Sequence, residues 1–354
     1  MTVRVGPGND WEDVHNALKG TNVTVVGGRI GEVGVGGYVV GGGLSFLSAQ
    51  YGWAANNIVE FEVVLANATI VTASNTTNPD LYKALKGGGN AFGIVTAFTM
   101  IAHPQGQVWG GNLIFTPDKT DQMLAAVRDF TEYYPDEKAG IIMTAELSAV
   151  GVIDMWILFL LYDGPTPPLT RSYSELLTYN NFAVVKGSIY TITTEMIPVP
   201  SSANGAEVLG AVHDNWRNTS TGTLVVSGII ASIAYQPVPK MLARKAREMG
   251  GDMIDLDDDV DRLIIEFNYS YWFNTDDAKM DTATQQLYKG TKDIVARFRE
   301  AGKLPQAFLP LFANDGYFRQ DYWGRLRTAD FARSAQSQYD PDGFFAKRTG
   351  GYKL

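Results

Sequence analysis

The chain has 354 residues, and 45% of them are apolar, enough to bury one large core or two ordinary ones. Its net charge of −9 argues against nucleic acid or an anionic membrane surface as a partner, and the absence of cysteine excludes disulfides, thiolate chemistry and Cys-ligated zinc. The longest apolar run, Met155 to Tyr162, is far shorter than the roughly 20 residues a membrane helix needs.

In chain order, Val3 to Val5 reads as a strand. Asp10 then caps a short helix from Trp11 to Leu18. Val23 to Val26 is a strand leading into GGRIGEVGVGGYVVGGG, residues 27–43, in which nine of seventeen residues are glycine. Val33, Val35, Tyr38, Val39 and Val40 interleave these glycines, so the segment is no polar linker. Glycine at this density marks backbone that approaches something closely or takes positive φ. The dinucleotide fingerprint is excluded, because Val39 stands where its third glycine would fall, and no Walker loop follows. Leu44 to Tyr51 reads as a helix stopped by Gly52. Ile58 to Leu65 and Thr69 to Thr72 form a hairpin, and Asn78-Pro79 opens a helix that ends at Gly87-Gly88-Gly89. Ile94 to Ile101 is the next strand. Two glycine blocks around this strand pair suggest one large flat ligand held mainly by backbone.

After Pro104, strands alternate with amphipathic helices: 108–115, 118–133, 140–147, 153–162, 169–177, 205–217, 224–235, 239–249, 262–273 and 278–301. A loop is expected from Ser188 to Asn204. The pattern is α+β, an antiparallel sheet with helices on one face and its other face free to cover a ligand. Phe331 to Tyr339 is a last helix, followed by the turn Asp340-Pro341-Asp342-Gly343. The acidic run Asp255 to Asp261 reads as a solvated loop, with a divalent ion as the alternative. Five glycosylation sequons begin at Asn22, Asn67, Asn75, Asn218 and Asn268, where chance gives roughly one or two. A secretory route and a Thr-, Ser- and Asn-rich composition account for them equally.

The stretches VVGGRIGEVGVGGYVVGGGLSFLSAQYGWAANNIVEFEVVLANATIV, NPDLYKALKGGGNAFGIVTAF and YDPDGFFAKRTGGYKL closely resemble the berberine-bridge-enzyme-like flavin oxidoreductases of the vanillyl-alcohol-oxidase superfamily, in their fungal branch. The resemblance implies a PCMH-type FAD-binding domain in 1–105 and 305–354 and a substrate domain in 106–304, its antiparallel sheet backed by helices. It implies FAD as cofactor, with Val33, Gly34, Gly37, Tyr38, Gly42, Gly43, Gly93, Ile94, Val95 and Tyr322 lining its site. It further implies that the family's first FAD-binding segment, whose Arg-Ser/Gly-Gly-Gly-His loop tethers the flavin, is missing, so the FAD domain is N-terminally incomplete. Ile30 stands where the second tether, a cysteine, would be, so flavin is expected to be held without a covalent bond.

The sequence has no G-x-S-x-G, H-E-x-x-H or C-x-x-C motif, and its three histidines are scattered. Acid–base work therefore falls to carboxylates or tyrosines. In the strand 262–273, alternation places Ile264, Glu266, Asn268, Ser270 and Trp272 on one face and Leu263, Ile265, Phe267, Tyr269 and Tyr271 on the other. Glu266, in this otherwise apolar strand, and Tyr235, ending another, are the candidate catalytic bases. The Asn268 sequon argues for an exposed face and against Glu266. The expected function is FAD-dependent oxidation of a small secondary metabolite by a monomer, with O2 as electron acceptor. The alternative is a non-redox pericyclase or isomerase scaffold, or an inactive fragment.

Overall fold

A computed structural model describes residues 1–133, 136–148, 153–166 and 188–354. The helix expected over 169–177 lies outside these residues. The first strand, β1 (Thr2–Val5), is followed by α1 (Trp11–Leu18), whose start is set by Asp10: its carboxylate accepts the Asp13 N–H at 2.9 Å. Trp11 and Val14 bury the inner face of α1. β2 (Val23–Thr24) is shorter than expected, and the glycine block folds into a helix, α2 (Val35–Val40), that sequence propensity does not announce. Burial of Val35, Tyr38 and Val39 overrides the low propensity of its glycines. Only the end of the expected 44–51 helix forms, as α3 (Ser48–Tyr51). Then come β3 (Ile58–Val64), β4 (Ile70–Ser74), α4 (Pro79–Leu85), β5 (Ile94–Ile101) and the short β6 (His103–Pro104).

A second group follows: β7 (Trp109–Phe115), α5 (Thr120–Tyr133), β8 (Ala139–Ser148), β9 (Asp154–Tyr162), β10 (Ile189–Pro198), α6 (Gly205–Thr221), β11 (Ile230–Val238), α7 (Lys240–Glu248), β12 (Arg262–Tyr271) and α8 (Asp277–Glu300). The chain ends with α9 (Ala329–Tyr339) and α10 (Phe344–Arg348). β10 occupies the stretch expected to be a loop. Its polar Ile-Tyr-Thr-Ile-Thr-Thr-Glu pattern is a strand because ten residue pairs match it to β12.

β1, β5, β3 and β4 form one antiparallel sheet in that order, and β10, β12, β11, β8, β9 and β7 form a six-stranded antiparallel sheet. Helices α5, α6 and α8 cover one face of the larger sheet. The core there contains Leu263, Ile265, Phe267, Tyr269 and Tyr271 of β12 with Trp156, Trp216 and Leu287. Truncating Phe267, fully buried in this core, to alanine costs about 3–5 kcal/mol. A second core gathers Trp11, Val39, Phe61, Phe92 and Phe98, and Leu311, Tyr322 and Trp323 return to it from the far end of the chain. A third cluster joins the two: Leu44, Trp53 and Phe312 pack against Met196, Val238 and Ile264. Ile264 shares its strand face with Glu266, so the uncovered face of the larger sheet looks toward the glycine block.

The acidic run at 255–261 is neither a free solvated loop nor, among the described residues, part of a metal cluster. Asp257 lies 2.8 Å from Arg327 and 3.5 Å from Arg262, and Asp258 and Asp261 face Arg244 and Lys240.

Candidate functional site

Strand register assembles the site. Across β12, β11 and β8, Glu266 stands beside Ala234 and Thr144, and Asn268 beside Ser232 and Glu146. Directly paired residues share a face, so this face carries carboxylates, an amide and hydroxyls where the opposite face is apolar. Gln236, two residues past Ala234, points the same way. Its amide nitrogen donates to Glu266 Oε2 at 2.8 Å and to Asp315 Oδ2 at 3.0 Å. Its carbonyl oxygen accepts from Arg29 Nη2. Asn268 Nδ2 donates to Glu266 Oε1 at 3.1 Å, while the Ser232 hydroxyl donates to Asn268. Arg29 comes from the glycine block, Gln236 and Glu266 from the sheet, and Asp315 from the returning C-terminal segment.

Two carboxyls share one guanidinium in this half-buried place, so the carboxyls compete for its charge. Burial raises the pKa of Glu266, against which Arg29 and the Asn268 hydrogen bond favour its ionised form. Burial also raises Asp315, to about 8, and the neighbouring Glu266 adds to the rise, only partly offset by Arg29 and Gln236. The charge of Glu266 favours a proton on Asp315. Burial, followed by the fields of Glu266, Asp315 and Glu146, also pushes up the Tyr190 phenol, which shares this face.

Tyr235 does not line the site. One residue from Gln236, it points into the helix-side core, fully buried and stacked on Trp156 at 5.8 Å. Its hydroxyl has no hydrogen-bond partner among the described residues. Burial pushes its pKa well above the ordinary value, so as a base it is corrected. The Asn268 sequon does not mark an exposed face either, because the side chain is engaged with Glu266 and Ser232.

The glycine-block residues divide into two sets. A Cβ on Gly42 or Gly43 would meet Ile254 at 2.8 Å or Tyr38 at 2.5 Å, and both glycines have positive φ, so their own fold requires them. Asn314 locks this turn, accepting the Gly43 N–H at 3.0 Å and donating to the Tyr38 carbonyl at 3.0 Å. The Tyr38 hydroxyl donates to the Gly27 carbonyl at 3.0 Å. By contrast, a Cβ on Gly34 or Gly37 would meet no atom within 4 Å. Val33, beside them, is an exposed apolar side chain. These positions fit a flat ligand laid against backbone. In the second block, a Cβ on Gly93 would strike Val63 at 2.4 Å, whereas Ile94 is exposed and Val95 half-buried at the start of β5. Tyr322 is buried beneath this region, its hydroxyl donating to the Gly87 carbonyl and its ring stacked on Tyr352. Arg29 was missed as a site residue, although it stands next to Gly27-Gly28, both packed tightly on Trp11. Gln236 and Asp315 lie in stretches, 235–237 and 314–315, that the family resemblance sets beside the cavity and the flavin, but neither was chosen as a site residue.

Residues 1–74, which hold the glycine block, match an FAD binding domain family. An FAD-linked oxidoreductase of Arthroderma benhamiae is 40% identical over 375 aligned positions, which cover 100% of this chain and 74% of that protein. An FAD-dependent monooxygenase of Aspergillus calidoustus is 29% identical, with 100% and 70% covered. The berberine bridge enzyme of Eschscholzia californica superposes with a TM-score of 0.74 at 14% identity, covering 100% of this chain and 77% of that one, and so shares the fold. The open backbone at Gly34 and Gly37 leaves room for a flat group such as a flavin ring. The chain belongs to the FAD-linked oxidoreductases, with the fold of berberine bridge enzyme, and FAD is its cofactor.

Proposed function

We propose that this enzyme oxidises a carbon bearing a hydroxyl or amine in a small organic metabolite, with Glu266 as the base and O2 as the final electron acceptor. The observation that carries the reading is Glu266 itself: an ionisable carboxylate on the ligand side of the sheet, tied through Gln236 to Arg29 and Asp315. Bound FAD supplies a hydride acceptor, and its reoxidation by O2 yields H2O2. The protein's own residues do the rest. Glu266 accepts the proton of the substrate hydroxyl or ammonium as the C–H bond breaks. Arg29 favours the ionised, proton-accepting form of Glu266 against the effect of burial. Gln236 fixes both Glu266 and Asp315 in place. Asp315, protonated below a pH of about 8, adds no second negative charge beside the base.

Val33, Gly34, Gly37, Ile94 and Val95 are proposed to lie against the flavin, with Tyr38, Gly42, Gly43, Gly93 and Tyr322 shaping the backbone beneath. The two cores support a division into a flavin part, 1–105 with 305–354, and a substrate part, 106–304. No helix among the described residues is long and apolar enough to cross a membrane. The fungal flavin-dependent relatives support a substrate drawn from secondary metabolism. The test is anaerobic mixing of the FAD-loaded enzyme with a panel of alcohols and amines, read as loss of the flavin band near about 450 nm. One member of the panel should bleach the flavin, and H2O2 should appear when air is admitted. Bleaching with no H2O2 in air would contradict O2 as acceptor.

A further inference from the structure

Glu146 lies on the same sheet face as Glu266 and takes no part in the network around it. It is 8% exposed, and its Oε2 has no hydrogen-bond partner among the described residues. A buried acceptor left without a donor is costly, so such groups generally wait for one. Its register neighbour Ser232 is turned away from it, donating instead to Asn268. Burial pushes the Glu146 carboxyl up to about 7. Tyr190, paired with Ser270 on the same sheet face, feels the field of Glu146 together with those of Glu266 and Asp315. Glu146 is two strands and one pair of residues away from Glu266, which puts their Cα atoms roughly 12 Å apart.

We propose that Glu146 is the second anchor of the substrate: it accepts a hydrogen bond from a hydroxyl or protonated amine at the end remote from the carbon being oxidised. The inference rests on the proposed function for the near end of the molecule. It narrows the substrate class to molecules with two polar ends separated by an apolar span of about the length of eight methylenes. A hydroxyl and an ammonium present the same donor chemistry, and both are tested.

The probes are octanediol with terminal hydroxyls, its monomethyl ether, which loses the remote donor, and the matching amino alcohol. Binding to the FAD-loaded full chain is followed by perturbation of the flavin spectrum. The parent enzyme should bind the diol or the amino alcohol ten- to a hundredfold tighter than the ether. Glu146→Leu should abolish that preference, and Glu146→Gln should restore it for a hydroxyl but not for an amine. Glu146→Leu should also melt about 1–3 °C higher than the parent, because an unpartnered buried carboxyl is removed. Equal affinities in the parent, no response to any probe, a preference that survives in Glu146→Leu, or a lower melting temperature of that variant would each overturn the proposal. Glu266→Gln separates the two readings. It should lose flavin reduction by the diol yet keep the preference for the remote donor. A parent that shows the preference while no substrate ever reduces its flavin would contradict the proposed function and leave Glu146 as an anchor.

Discussion

Replacing Asp315 by asparagine tests the shared-proton arrangement at its most sensitive point. In the folded protein Asp315 keeps its proton up to a pH of about 8. In the unfolded chain an aspartate ionises near about 3.9. A folded-state pKa above the unfolded one means that folding takes up a proton between these values. The stability associated with that proton is complete below about pH 4 and is lost as pH rises toward 8. At pH 7 the loss has a ceiling of about 4 kcal/mol, at about 1.4 kcal/mol per unit over three units. Asparagine is neutral at every pH and can still accept the hydrogen bond from Gln236, which Asp315 accepts at 3.0 Å. Asp315→Asn should therefore match the parent in stability near pH 4.5 and exceed it by several kcal/mol near pH 7.5. Urea unfolding of the FAD-loaded protein at the two pH values measures the difference, provided the slope with denaturant is unchanged. If the variant gains nothing on going from the lower to the higher pH, Asp315 is ionised in the fold and its raised pKa is refuted.

Gly37→Ala adds a methyl group that meets no protein atom and should raise the helix propensity of α2, so the flavin-free protein should melt no lower than the parent. The same variant should bind FAD at least tenfold more weakly, by fluorescence titration, and unchanged affinity would remove Gly37 from the cofactor site. Tyr235→Phe should leave the rate of flavin reduction at the parent value, because its ring lies on the helix side of the sheet; a drop of tenfold or more in stopped-flow absorbance would return it to the mechanism. Arg29→Met removes the cation that favours the ionised form of Glu266, so the acid limb of the pH–rate profile should move to higher pH. Acid precipitation should release all flavin to the supernatant, since the chain has no cysteine and Ile30 occupies the tether position; flavin in the pellet would reveal a covalent bond.

What the sequence shows and hides follows from the range of the interactions. The cap of α1 is visible because Asp10 acts on Asp13, three residues away. The faces of β12 are visible because alternation is local, and Glu266 falls on the polar side as its position dictates. Choosing Tyr235 over Gln236 shows the limit: in a strand a shift of one residue exchanges the faces, and strand ends are hard to fix from sequence. The expected strand ran 224–235, whereas β11 is Ile230–Val238. The network of Arg29, Gln236, Glu266 and Asp315 was hidden because its members lie 30 to 207 positions apart where they bond. The glycine block announces close approach but not of what. Gly42 and Gly43 are needed by Ile254 and Tyr38, while Gly34 and Gly37 leave room for a ligand.

The account stands most directly on the proton-accepting role of Glu266. Once the alcohol or amine panel has identified a compound that reduces the parent flavin, the single-turnover rate of flavin reduction by that compound should be measured in Glu266→Gln. The glutamine keeps the size of the side chain and can still accept from Gln236 or from Asn268, though not from both, and flavin content should match the parent. The rate should fall by roughly a hundred- to ten-thousandfold at neutral pH. A fully flavin-loaded Glu266→Gln that reduces its flavin at the parent rate would show that the base lies elsewhere.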